Sequence, residues 1–219
     1  MLDFSIAALA RGAMVTVILT FAGSLVAIAL GLIVGLLRVS SHWQLRWFGI
    51  AYIEFFRGTS LLVQLYWWFF VLPVFNVFLS PWTVAILGLG TNVSGYGAEL
   101  LRAAIQGVDR GQYEASTALN YKRTTMMRRI ILPQAIRAAL PAWGNLLISL
   151  LKGTSLIFFI TITEFTTATK VAADATGNYL LLFAVALFGY YLIARSVITP
   201  LQGLLERRFS RGFVREALV

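Results

Sequence analysis

Charge falls along this chain in bursts separated by long apolar runs, and the runs set the expected architecture. No Asp, Glu, Lys or Arg lies between Gly12 and Leu37, enough for one tilted membrane-crossing helix of about 20 residues. The stretch from Gly58 to Ala98 is also free of charge, roughly twice a single crossing. Pro73, Asn76, Ser80 and Pro81 interrupt it with turn chemistry, so two crossings are predicted, at about residues 52–78 and 82–105. Residues 141–163 are apolar apart from Lys152, and residues 175–194 form a further charge-free run ahead of Arg195. The pattern predicts an all-α, polytopic membrane protein with five transmembrane helices, forming one domain over residues 1–219.

Composition agrees with that pattern. The chain is 59% hydrophobic and only 12% charged, against about 25% charged in soluble domains, and its mean hydropathy is +0.80. A net charge of +9 can signal nucleic-acid binding, but these cations are interleaved with apolar spans. They report topology instead. Arg38 and Arg46 follow the first span; Arg102, Arg110, Lys122, Arg123, Arg128, Arg129 and Arg137 surround the third loop; Arg207, Arg208, Arg211 and Arg215 occupy the tail. The opposite side holds Arg11 and Lys170. The positive-inside rule therefore places the N-terminus outside and the C-terminus in the cytosol. Asp3 precedes the first cation and the following run exceeds a signal-peptide core, so the first span is expected to be retained. The chain has no cysteine, which removes disulfide and thiolate chemistry.

The most polar island, about residues 106–137, carries the sharpest signal. Gln112 to Leu119 is helix-compatible, and Asn120 follows where a left-handed residue commonly closes a helix. A second short helix is expected from Lys122 to Leu132, with Pro133 opposing its continuation. Two short helices meeting at a sharp corner form a knob, with Ala115, Ser116 and Ala118 small enough to enter a groove. Glu114-Ala115-Ser116, three residues, Asn120, nine residues, then Ile130-Ile131-Leu132-Pro133 resembles the coupling-loop signature of importer-type ATP-binding-cassette (ABC) permeases. There Ala stands at the position of Ser116 and Gly at that of Asn120.

The resemblance extends outward. Glu54-Phe55-Phe56-Arg57-Gly58-Thr59-Ser60-Leu61-Leu62-Val63-Gln64 is similar to a segment of the histidine/glutamine-type polar amino-acid permeases, with Ser60 where Pro is usual. Gly97 to Ile105 with Gly111-Gln112, and Leu151-Lys152-Gly153-Thr154-Ser155-Leu156 with Gly153 in place of Asp, resemble further family segments. The resemblance implies a type I ABC importer permease in the bacterial inner membrane, with Glu114, Ala115, Ser116, Asn120, Arg128 and Pro133 in ATPase coupling. It further implies a second permease subunit, two cytosolic ATPase subunits that hold ATP and Mg²⁺, and an external solute-binding protein. No cofactor is expected on this chain. The solute implied is a polar amino acid or derivative, and the aromatic run Tyr66-Trp67-Trp68 leaves room for a compatible solute such as ectoine.

Candidates for the substrate path are Asn92, Ser94, Tyr96, Glu99, Lys152 and Trp67. The polar side chains before Glu99 can hydrogen-bond a zwitterion, although such residues as often join helices. Trp67 suits packing, a lipid-facing position or a cation cage. Glu54–Arg57 and Glu99–Arg102 have the spacing of local ion pairs. Lys152, near the middle of a span, costs about 2.5–3.5 kcal/mol on insertion scales unless it faces an interior or wet cavity; Glu99 is its expected partner. Glu164 and Asp174 border an external loop and read as solvated loop residues or contacts for the binding protein rather than as ligands. His42 stands alone, without a metal-ligand cluster. An intramembrane hydrolase lacks its nucleophile and base, and no Lys follows Gly as a phosphate-binding loop requires. The rival reading is an ion-coupled secondary transporter or channel, against which stand the lack of an internal repeat and the scarcity of acids within spans.

Overall fold

The computed structural model describes residues 2–210, and every element among them is helical. Arg211 and Arg215 lie outside the described residues. Helix α1 (Leu2–Arg38) is followed by α2 (Trp43–Gly58), a broken α3 (Leu61–Tyr66, extended by irregular turns to Phe75) and α4 (Pro81–Gln106). The short α5 (Arg110–Ala118) and α6 (Arg123–Met126) precede α7 (Leu132–Gly153), α8 (Phe165–Thr176), α9 (Tyr179–Ile193) and α10 (Thr199–Ser210).

Helix α4 is the centre of the bundle, packed by α1, α2, α3 and α7. Its shielding explains its composition: Thr91 and Ser94 are buried, and the small residues Gly88, Gly90, Gly95 and Gly97 face neighbouring helices. A Cβ at Gly90 would lie 2.6 Å from the Cβ of Val26 on α1, and one at Gly97 would overlap the Trp143 indole of α7. Close approach of backbones replaces the hydrophobic drive that lipid cannot supply. Leu19, Ala27, Leu65, Leu89, Val93, Trp143 and Leu150 form the core around this axis.

Among the described residues three segments are long and apolar enough to cross a membrane, at Ile6–Arg38, Arg123–Ile160 and Tyr179–Arg208; α4, at the expected crossing 82–105, is not one of them. The expected straight crossing at 52–78 is instead two helices, Trp43–Gly58 and Leu61–Phe75, bent by 102°. Thr59 and Ser60 between them adopt extended backbone. The freed carbonyls are satisfied locally, as lipid demands: Gln64 Nε2 donates to the Phe56 carbonyl at 3.2 Å and to the Thr59 carbonyl at 3.3 Å. Asn92 Nδ2 adds a bond to the Phe56 carbonyl at 3.2 Å.

Pro133 does not end the second short helix. Helix continues from Arg123 through a π-turn at Met127–Ile131 into α7. The proline lacks an N–H and its ring crowds the carbonyl four residues back; the wider turn relieves both. The same device recurs at Trp67–Val71 before Pro73 and at Ala194–Ile198 before Pro200. After α7, a 3₁₀ segment (Thr154–Ile160) ends at Thr161 in the left-handed region (φ 67°). The expected external loop contains α8, capped by the Glu164 carboxylate, which accepts from the amides of Thr166 and Thr167. Glu164 is fully buried rather than solvated. Thr16 Oγ1 of α1 and the Tyr190 hydroxyl of α9 also donate to it, at 3.3 and 2.8 Å, so one acid ties three helices.

Candidate functional site

The corner between α5 and α6 is built as a closed helix terminus. Asp109 caps α5 by accepting from the Gly111 amide at 2.7 Å. At the other end the Asn120 amide donates to the Thr117 carbonyl at 2.9 Å and the Tyr121 amide to that of Ser116 at 3.0 Å, the Schellman pattern. Asn120 supplies the required left-handed residue, with φ 56°. The Tyr113 hydroxyl donates to the Ile105 carbonyl at 2.8 Å and so fastens α5 to the end of α4; burial raises its pKa. Beneath the corner, Leu101, Ile105, Ile131 and Ala135 form a second apolar cluster.

This geometry sorts the expected coupling residues. Glu114, Ala115 and Asn120 are exposed on the outside of the corner, beside Leu119 and Tyr121. Ser116 turns inward, almost fully buried, and donates to the Gln112 carbonyl at 2.6 Å. It supports the knob and does not form its surface. Pro133 sits in the first turn of α7. Arg128 lines a recess against the turn from Val39 to His42.

The substrate-path candidates do not converge. Asn92 belongs to the polar knot at the α2–α3 break and also donates to Gln64 Oε1 at 3.3 Å. Ser94 is buried, 2.7 Å from the Tyr52 hydroxyl. The exposed Tyr96 ring lies beneath the Arg57 guanidinium, 5.4 Å from its centroid. Arg57 therefore reaches across to α4, and among the described residues the expected Glu54–Arg57 ion pair is not formed. Glu99 is held by Arg102, whose Nε donates to both carboxylate oxygens at 2.9 and 3.0 Å. Trp67 is exposed at the start of its π-turn.

Lys152 is exposed on the isolated chain, and the expected pair with Glu99 does not form. Helix register is the reason. Gly97 packs on Trp143 and Leu89 on Gly153, so Glu99 and Lys152 stand roughly 15 Å apart along the helix axes. Lys152 instead lines a cavity of about 690 Å³ with Ser155, Thr166, Tyr190, Tyr191 and Arg195. Two cations and several hydroxyls thus face one space whose lining includes no carboxylate. Sequence reasoning missed Arg195 and Tyr190 in this site. The signal was the single charge closing the last apolar run, visible as Arg195 but assigned to a span edge.

Fold and corner together define a class: a helical membrane protein that presents an exposed corner between two short helices and whose sequence has no Gly-Lys of a nucleotide-binding loop. Residues 27–211 match the family described as binding-protein-dependent transport system inner membrane component, and the chain belongs to that family. It is a multi-pass inner-membrane protein. It is 39% identical over 192 residues to a probable amino-acid ABC transporter permease protein, y4tF, of Sinorhizobium fredii, covering 85% of this chain and 81% of the relative. It is 36% identical over 204 residues to the L-cystine transport system permease protein TcyB of Bacillus subtilis, covering 93% and 87%. The solved structure of an amino acid ABC transporter with histidines superposes with a TM-score of 0.85 at 32% identity, covering 94% of this chain and 96% of the other. The MetNI methionine ABC transporter shares the fold, with a TM-score of 0.77 at 20% identity over 95% of this chain and 99% of that one.

Proposed function

We propose that this chain forms the membrane path of an ATP-driven importer for a polar amino acid or a derivative of one, including zwitterionic compatible solutes such as ectoine. It works beside a second permease subunit, two cytosolic ATPase subunits that bind ATP and Mg²⁺, and an external solute-binding protein. Five crossings fit the fold: α1, the bent α2–α3 pair, α4, the α6–α7 run, and α9–α10. The distribution of cations favours an external N-terminus and a cytosolic C-terminus, which puts the segment 106–137 of this single domain on the ATPase side. The observation that carries the reading is the exposed α5–α6 corner, closed by Asn120 and fastened to α4 through Tyr113 and to α7 through Gln134, whose Nε2 donates to Gln112 Oε1 at 3.5 Å.

The Lys152–Arg195 cavity supports the substrate class. Lys152 and Arg195, lining one cavity, suit the carboxylate of a zwitterion, and they disfavour a solute of net positive charge. Arg57, Tyr96 and Asn92 lie apart from that cavity, beside the α2–α3 break.

The docking assignment is tested by Glu114→Lys with Ala115→Asp in the assembled complex. Bulk and altered charge at the contact reduce ATPase capture by about tenfold or more, while insertion of the permease is unchanged. Wild-type capture with normal uptake in liposomes overturns the assignment.

A further inference from the structure

We propose a binding site for the phosphate of an anionic phospholipid in the recess between the α1–α2 turn and α6. The recess is a cavity of about 620 Å³ lined by Ser40, Ser41, His42, Arg123, Thr124 and Arg128, with Leu36, Val39, Met127 and Leu132 completing its walls. No carboxylate is in that lining. Arg123 is already oriented: its Nη2 donates to the Val39 carbonyl at 3.3 Å, bridging α6 to the end of α1. Its other donors remain available to a ligand. Arg128 takes part in no ion pair among the described residues.

Charge alone does not select a lipid; the neighbouring surface does. Trp43, Leu45, Trp47 and Phe48 begin α2 and are all exposed, Trp43 and Trp47 each at 63%. Tryptophans at such a position mark the headgroup level of a bilayer. The recess therefore offers cations and hydroxyls at that level, with Leu36 and Leu132 beside them for the acyl chains. Basic pockets between membrane helices on the cytosolic side take anionic headgroups by this combination. The site rests on the cytosolic placement of α6 given above, but the experiment reads lipid binding directly and does not depend on transport or orientation.

The full-length chain, purified in detergent and stripped of lipid, is titrated with phosphatidylglycerol, phosphatidylcholine or inorganic phosphate, and retained ligand is read by native mass spectrometry. Phosphatidylglycerol is retained selectively over phosphatidylcholine, and inorganic phosphate fails to displace it at equal concentration. Arg123→Gln with Arg128→Gln weakens retention by roughly thirty-fold, from about 1 kcal/mol per cation. Arg128→Gln alone, which disturbs no bond to the α1 end, weakens it about fivefold and serves if the double variant does not fold. Arg207→Gln with Arg208→Gln in α10 leaves retention unchanged. Equal binding of the two lipids, full displacement by inorganic phosphate, or equal loss in the α10 control overturns the site. Exclusion of the lipid by a bound ATPase subunit overturns it as well, since the recess then belongs to the protein contact.

Discussion

Glu164 is a carboxylate with no exposed surface whose two oxygens face only donors: the amides of Thr166 and Thr167 and the hydroxyls of Thr16, Thr167 and Tyr190. Glu164→Gln preserves shape but turns an NH₂ toward one of those donors. The expected cost is about 1–3 kcal/mol, the penalty for buried polar groups left unmatched. Thermal unfolding of the detergent-solubilised chain measures it, and an unchanged midpoint shows that water reaches the cluster. The sequence displays Glu164 as one acid beside a run of threonines, which is also how a solvated loop looks. Its partners come from α1 and α9, some 148 and 26 residues away, and local reading has no access to such distances.

At the scale of elements, turn chemistry was the most legible feature. Asn120 occupies the left-handed region for which its side chain is suited, and Ser80 caps α4 through the Thr83 amide at 3.2 Å, ahead of Pro81. Asn120→Gly is expected to retain transport-linked ATP hydrolysis. Asn120→Val costs about 1–2 kcal/mol through its branched Cβ and lowers that activity; equal rates for both variants show that the corner does not need this geometry. Prolines were the least legible. Pro133 has the sequence signature of a stop, yet π-turns let helices pass through the positions before Pro73, Pro133 and Pro200. A local hydrogen-bond defect ends a helix only where no packed neighbour favours its continuation, and Ile131 and Ala135 are packed against α4.

For the molecule as a whole, apolar runs disclosed the membrane class, but not the register between helices. That register separates Glu99 from Lys152 and leaves Lys152 lining one cavity with Arg195. Lys152→Met and Glu99→Gln are accordingly expected to lose uptake additively, within about 0.5 kcal/mol in a double-mutant cycle. A larger coupling places the two side chains in contact within the assembled transporter. The unbroken run from Arg123 to Ile160 has one more consequence. Trp143, wedged against Gly31 and Gly97, divides it into arms of roughly 30 Å toward Arg123 and 14 Å toward Lys152. If the run pivoted there as a rod by about 10°, its Arg123 tip would move some 5 Å and its far arm about 2 Å the opposite way, by the same helix dimensions. A lever with such arms would turn a large stroke at the α5–α6 corner into a small, reversed displacement beside Lys152.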